Sequence, residues 1–120
     1  MAVTKLIAPG GREHGYVSGT IAKDGTSTDA MDLEGYSVTG LMLPTLDTTN
    51  ITFTASNLVA GTYYTVKDMD GSTFTITATT GAMAVGSDDL SPLFGYRFVK
   101  VVASAAQTTA ARTIIFTVKG

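Results

Sequence analysis

The sequence predicts an all-β protein, an antiparallel β-sandwich of jelly-roll-like form with an extended N-terminal arm. Several segments alternate apolar and polar residues with a period of two, the pattern of strands that have one buried and one solvated face. Glycine-containing turns separate these segments at intervals of about ten residues, a spacing typical of sandwiches and barrels. No segment carries apolar residues at the three- and four-residue spacing of a long amphipathic helix.

The alternating segments place the strands in chain order. They are residues 36–43, 51–56, 62–67, 73–79, 96–103 and 111–118. Asp70-Gly71 separates the third segment from the fourth and predicts a tight hairpin between them. Asp24-Gly25 could close an earlier hairpin, and residues 83–93 have room for a short helical turn at most. The residues predicted to lie inside are Val38, Phe53, Phe74, Ile76, Phe98, Ile114 and Phe116.

Two of these strands begin in the same way. Leu33-Glu34-Gly35-Tyr36 precedes one, and Leu93-Phe94-Gly95-Tyr96 precedes the other. A glycine at this point permits positive φ or close passage of a neighbouring strand, and the leucine can cover the end of the core. We therefore expect two long central strands that are both approached by a loop at the same end of the sandwich.

Composition limits the classes of function. A chain of 120 residues with 44% hydrophobic residues is predicted to form one globular domain. Charged residues make up only 15%, whereas threonine occurs 21 times, so the surface is polar but weakly charged. The net charge of −2 and the scattered basic residues argue against a nucleic acid partner. No apolar stretch approaches the roughly 20 residues of a membrane helix, and no cysteine is available for disulfides or thiolate ligands.

The first fifteen residues differ in character from the rest. Residues 1–15 contain Pro9-Gly10-Gly11 and little periodicity, and their apolar run is too short for a secretory signal. We therefore expect an N-terminal arm over residues 1–15, without a regular strand or helix, and a single sandwich domain over residues 16–120.

Polar clusters provide weak candidate sites. Asp68-Met69-Asp70-Gly71 resembles the start of a calcium loop, but its glycine is at position four instead of six, which favours a hairpin tip. Ser87-Asp88-Asp89 could bind a cation or begin a helix. His14 is the single histidine, and Asn50-Ile51-Thr52 fits the glycosylation pattern. None of these forms a catalytic or metal-binding constellation, so we expect neither an enzyme nor a cofactor.

Tyrosines are the candidates for carbohydrate binding. They are Tyr16, Tyr63, Tyr64 and Tyr96. Since neighbouring residues of a strand face opposite ways, only one of Tyr63 and Tyr64 can lie in the core. The outward tyrosine could stack on a sugar or pack at a protein interface, where tyrosine is also enriched.

The order of motifs from residue 32 to the end resembles that of small β-sandwich structural proteins of tailed bacteriophages. The matching elements are, in order, Leu33-x-Gly35-Tyr36, the run Gly40 to Pro44, a short Thr-rich loop, the strand 51–56, a Tyr-rich strand, the Asp70-Gly71 turn, a Thr-rich strand, the segment Asp89 to Val101 with its Phe94-Gly95-Tyr96-Arg97-Phe98-Val99-Lys100 sequence, and the segment Ala105 to Ile114. This resemblance extends over roughly three quarters of the chain.

The resemblance implies a virion component, a decoration or cement protein on the outer surface of the head. Its partner would be the major capsid protein, and it would act as a homo-oligomer, with a trimer favoured. It would be made in the host cytoplasm and reside on the capsid surface. The alternatives are a carbohydrate-binding module of a phage fibre and a connector or minor tail protein.

Overall fold

The computed structural model describes residues 3–7, 13–47, 50–77 and 81–120. These residues form ten strands and one 3₁₀ helix, Ser87–Leu93. The strands are β1 Thr4–Ile7, β2 Glu13–Ile21, β3 Met31–Asp32, β4 Ser37–Leu43, β5 Asn50–Ser56, β6 Tyr64–Thr65, β7 Ile76–Thr77, β8 Met83–Gly86, β9 Phe98–Ala103 and β10 Arg112–Lys119.

The strands form two antiparallel sheets that pack as a sandwich, as predicted. Sheet A has the order β1-β2-β10-β4-β8, and sheet B has the order β3-β9-β5-β6, with β7 also paired to β5. Aromatic rings join the sheets in the core. The ring centroid of Phe53 in sheet B lies 6.2 Å from that of Phe116 in sheet A and 5.2 Å from that of Phe74. The short helical turn allowed for residues 83–93 is present as the 3₁₀ helix, which buries Leu90 and Leu93.

Four of the six predicted strands form nearly as expected, but the two arms of the hairpin at Asp70-Gly71 form shorter strands than predicted. Its arms give only the two-residue strands β6 and β7 and an isolated bridge between Lys67 and Thr73. Both arms pair with the same edge of β5, β6 near its C-terminal end and β7 at its start, so each has room for few partners. Residues 78–80 of the predicted strand 73–79 lie outside the described residues.

Strand β2 was missed by the sequence analysis. Its inward positions include Gly15 and Gly19 in place of large apolar residues, which hides the alternation. A Cβ on Gly19 would lie 2.8 Å from the sulfur of Met31, and one on Gly15 would clash with the carbonyl oxygen of Thr4. Gly15 therefore permits close approach of the neighbouring strand β1, and Gly19 leaves room for the Met31 side chain of the other sheet.

The N-terminal segment is partly incorporated into sheet A. Strand β1 pairs with the first residues of β2, from Thr4↔Tyr16 to Ile7↔Glu13. The backbone N–H of Val3 also donates to Glu34 Oε2 at 2.8 Å. This part of the predicted arm is thus a regular edge strand, and β2 runs through the expected boundary at residues 15 and 16. Residues 8–12, with Pro9-Gly10-Gly11, lie outside the described residues.

All seven residues predicted to lie inside are buried, although Phe98 is buried in a different way from the others. It pairs with Ser56 and Asp32 on the outer side of sheet B, whereas its neighbour Val99 packs in the core. The guanidinium carbon of Arg97 lies 5.0 Å from the centroid of the Phe98 ring. Phe98 is therefore covered from outside, by a cation, instead of by the opposite sheet.

Candidate functional site

The two Leu-x-Gly-Tyr loops meet at one end of the sandwich. Gly35 and Gly95 have φ values of +80° and +93°, and Leu33 and Leu93 are buried. The two loops line a shared depression of about 540 Å³. Both parts of the prediction, positive φ and approach from the same end, are confirmed.

An ion pair fixes this meeting point. Arg97 donates from Nε and Nη2 to the two carboxylate oxygens of Asp32, at 3.0 and 3.1 Å. This hydrogen bonding lowers the pKa of Asp32 and raises that of Arg97. The backbone N–H of Leu33 donates to the carbonyl oxygen of Arg97 at 2.7 Å. These bonds, here called the Asp32–Arg97 clamp, have a structural role, since the two opposite charges neutralise each other.

The outer side of sheet A, here called the sheet A face, is almost uncharged. The register turns outward Tyr16, Ser18, Thr20, Ser37, Thr39, Gly40, Met42, Ala84, Gly86, Thr113, Ile115, Thr117 and Lys119, with Thr4 and His14 at one margin. Among these described residues Lys119 carries the one fixed charge, at an end of the face. Met42 is 50% exposed and Tyr16 is 38% exposed.

The threonines of the sheet A face interact in pairs across the strands. The hydroxyls of Thr20 and Thr113 lie 3.3 Å apart, as do those of Thr39 and Thr117. Such cross-strand contacts orient the side chains and leave apolar Met42 and Ile115 accessible between them.

The outer side of sheet B differs because cations cover its aromatic rings. Lys100 Nζ lies 4.2 Å from the centroid of the Tyr63 ring, as Arg97 lies over Phe98. The Tyr63 hydroxyl donates to the carbonyl oxygen of Val59 at 3.0 Å, and burial raises the pKa of Tyr63. This tyrosine is thus engaged in the structure of its own chain.

Tyr64 faces the opposite way from Tyr63, as predicted, but neither is in the core. Tyr64 pairs with Ala55 at the margin of the core and is 71% exposed. It lines an open depression of about 640 Å³, here called the tyrosine cleft. The lining residues are Ala55, Ser56, Asn57, Leu58, Gly61, Thr62, Tyr64, Thr65, Val66, Lys67 and Tyr96.

The acidic turn at 68–72 is a hairpin tip. The N–H of Gly71 donates to the carbonyl oxygen of Asp68, and that of Ser72 donates to the carboxylates of both Asp68 and Asp70 at 3.1 Å. The hydrogen bond between the two carboxyl groups raises the pKa of Asp68 and lowers that of Asp70. These groups therefore satisfy each other and the turn.

The remaining candidates lie far apart in the fold. Asp88 and Asp89 are exposed in the first turn of the 3₁₀ helix, and His14 is opposite Lys119 at the margin of sheet A. Asn50 begins β5 and donates its N–H to Ser104 Oγ. Within the described ranges no three His, Asp or Glu side chains are close enough to hold a metal ion.

Comparisons with known proteins identify no family. No family model and no curated protein matches the chain. The chain is similar to the solved structure of CsCBM6-3 from Clostridium stercorarium in complex with cellobiose, at 16% identity and a TM-score of 0.30, over 98% of this chain and 81% of that one. At that TM-score the similarity carries no conclusion about function. Among the described residues, no helix is both long and apolar enough to cross a membrane.

Proposed function

We propose that this protein is a non-catalytic structural component of a bacteriophage virion, a decoration or cement protein that binds the outer surface of the major capsid shell. The motif order over residues 32–120 motivates the setting. The observation that carries the proposal is the sheet A face, a regular surface across several strands that is nearly free of charge.

An uncharged face can be covered by a partner at little desolvation cost. Burying hydroxyls that already pair across strands costs far less than burying unpaired ions. Met42 and Ile115 provide the apolar area at its centre. On sheet B, Arg97 and Lys100 would have to lose hydration, so the sheet A face is the better surface for the shell.

The size of the face also favours self-association. Four strands spaced about 4.8 Å apart, with about seven residues rising 3.3 Å each, cover roughly 440 Å². That is about half of the ~800 Å² that each partner contributes to a standard interface. One copy would therefore bind weakly, and a homo-oligomer would gain avidity by engaging several sites at once. A trimer, as the resemblance implies, would provide three such contacts.

The test is binding to capsids that lack the protein. Met42→Lys places an ammonium group at the centre of the sheet A face, and Met69→Lys makes the same change at the exposed tip of the 68–72 turn. We expect Met42→Lys to weaken binding about a hundredfold or more, because a buried unpaired charge costs several kcal/mol. Met69→Lys should bind normally. Equal binding by both variants would exclude the sheet A face, and no binding by the intact protein would exclude the cement function.

A connector or minor tail protein differs from a cement protein in its position in the virion and in its copy number. A cement protein is present over the whole shell, whereas a connector is confined to the neck or tail. Mass determination of purified virions, combined with localisation by electron microscopy, separates the two.

A further inference from the structure

The tyrosine cleft contains two aromatic side chains that have no structural task. Unlike Tyr63, Tyr64 and Tyr96 have no hydrogen-bond or cation partner within the described part of the chain, and they are 71% and 40% exposed. Leu58, beside them in the lining, is 70% exposed. Exposed aromatic residues gathered in one depression are characteristic of binding sites more than of solvated surface.

The cleft is held by local hydrogen bonds. Ser56 Oγ accepts from the N–H of Leu58 at 3.1 Å and donates to its carbonyl oxygen at 2.8 Å. The N–H of Gly61 donates to the same carbonyl oxygen at 3.0 Å. Tyr64 belongs to β6, which pairs with β5, and Tyr96 follows the positive-φ turn at Gly95. The lining is therefore largely organised before any ligand arrives, which reduces the entropic cost of binding.

The polar lining contains amide, hydroxyl and ammonium groups but no carboxylate. Asn57, Thr62 and Thr65 supply amide and hydroxyl donors and acceptors, and Lys67 supplies the one charged group. The volume of about 640 Å³ falls within the range of sites for small ligands. A groove for an apolar peptide would need more aliphatic lining than Leu58 and Val66 provide.

We propose that the tyrosine cleft binds an oligosaccharide. The faces of Tyr64 and Tyr96 would pack against the C–H faces of sugar rings, while Asn57 and the threonine hydroxyls would bond sugar hydroxyls. Lys67 would permit a neutral or an acidic sugar and disfavour a cationic amino sugar. This inference is independent of capsid binding, which is assigned to the sheet A face.

The test is a glycan array followed by titration of the best oligosaccharide from it, monitored by amide chemical shifts. We expect shifts at Asn57, Tyr64 and Lys67, and about tenfold weaker affinity in each of Tyr64→Ala and Tyr96→Ala. Tyr16→Ala, the same change on the sheet A face, serves as the matched control and should bind normally. Melting curves of all three variants verify that they are folded.

Three outcomes would overturn the proposal. They are no binding of the intact protein on an array of neutral and acidic glycans, binding that the Tyr64 and Tyr96 variants retain, and loss of capsid binding in those same variants. The last result would assign the tyrosine cleft to a protein partner. Loss of capsid binding in Met42→Lys alone leaves the saccharide proposal standing.

Discussion

Arg97 donates two hydrogen bonds to the carboxylate of Asp32, at 3.0 and 3.1 Å, and joins two loops that the chain separates by 65 residues. The side chain of Asp32 is 20% exposed, while that of Arg97 is 55% exposed. The planar guanidinium also covers Phe98, so one side chain satisfies a carboxylate and shields an aromatic ring. The pair thus links residues that flank the two Leu-x-Gly-Tyr copies, since Asp32 precedes the first copy and Arg97 follows the second.

Asp32→Asn should lower the free energy of unfolding by about 0.5–1 kcal/mol at neutral pH, since the pair is bidentate but partly solvated. The pKa of Asp32 is lowered by folding. Its contribution is therefore fully present above the usual value of 3.8 and is lost as pH falls through the lowered folded value.

Urea unfolding at several pH values measures this difference. The stabilities of the wild type and Asp32→Asn should converge below pH 3.8. Asp29→Asn, an equal change at an exposed position, is the control and should lie within about 0.5 kcal/mol of the wild type. A constant difference across the pH range would show that the charge of Asp32 is not what stabilises the clamp.

Gly35→Ala and Gly95→Ala should each destabilise the protein by about 1–2 kcal/mol, because both glycines have positive φ. A Cβ at either position would meet no atom within 4 Å, so the cost is one of backbone conformation. Gly86→Ala is the matched control, since its surroundings are equally open and its φ is −83°. In thermal unfolding, the melting temperature of Gly86→Ala should be well above those of Gly35→Ala and Gly95→Ala. Equal melting temperatures for the three variants would contradict the positive φ values of Gly35 and Gly95.

Some strands can be predicted from their own residues, whereas others are determined by distant parts of the chain. Strands such as β5 and β10 alternate Phe and Ile with Thr, so their buried faces are evident from neighbouring residues. In β2, position 19 must lack a Cβ because the Met31 side chain of the other sheet lies against it, and the residues around Gly19 do not predict this contact. The N-terminal residues 4–7 are similarly defined by pairing to β2.

The candidate sites are harder to predict from the sequence than the strands, because each is formed by residues that are distant in the chain. The sequence places Tyr64 and Tyr96 among four candidate tyrosines for carbohydrate binding, yet their common cleft is formed by separate parts of the chain. Met42 belongs to an apolar run, and only the register of β4 against β10 turns it outward. Phe98 is buried as predicted, but it lies on the outer side of sheet B, under the Arg97 guanidinium, because of how β9 pairs with β3 and β5.

Phe116→Ala should cost about 3–5 kcal/mol, the range for a large aromatic removed from a packed core. Phe116 is fully buried between the sheets and lies close to Phe53. Phe98→Ala should cost less, about 1.5–3 kcal/mol, because solvent can fill the space on the outer side of sheet B and little cavity energy is added. The sequence predicts both residues to lie inside, and the structure separates them because Phe98 lies on the outer side of sheet B. Chemical denaturation measures the free energy of unfolding of both variants. An equal loss in the two would show that burial of Phe98 stabilises the protein as much as burial of Phe116 does.

Gln107 is a fully buried polar residue that joins three loops. Its Oε1 accepts from the N–H of Asp47 at 2.8 Å, and its Nε2 donates to the carbonyl oxygens of Asp47 and Ala105. Its backbone N–H donates to the carbonyl oxygen of Gly25, and its carbonyl oxygen accepts from the N–H of Asp24. The side chain therefore satisfies both backbone groups of Asp47, which is 60 residues away, and the Gln107 backbone binds Asp24 and Gly25.

Gln107→Leu preserves much of the volume but leaves the backbone groups of Asp47 without their partner. Unsatisfied buried groups cost about 1–3 kcal/mol, so unfolding in urea should show a loss of that size with an unchanged m-value. The control is Thr108→Val, which removes a long 3.4 Å contact to the Asp47 carboxylate at an exposed position and should cost less than about 0.5 kcal/mol. Stability of Gln107→Leu equal to that of Thr108→Val would mean that water replaces the amide, and that the three loops are held by their backbone hydrogen bonds and by the bonds from Thr109 and Arg112 to Asp47.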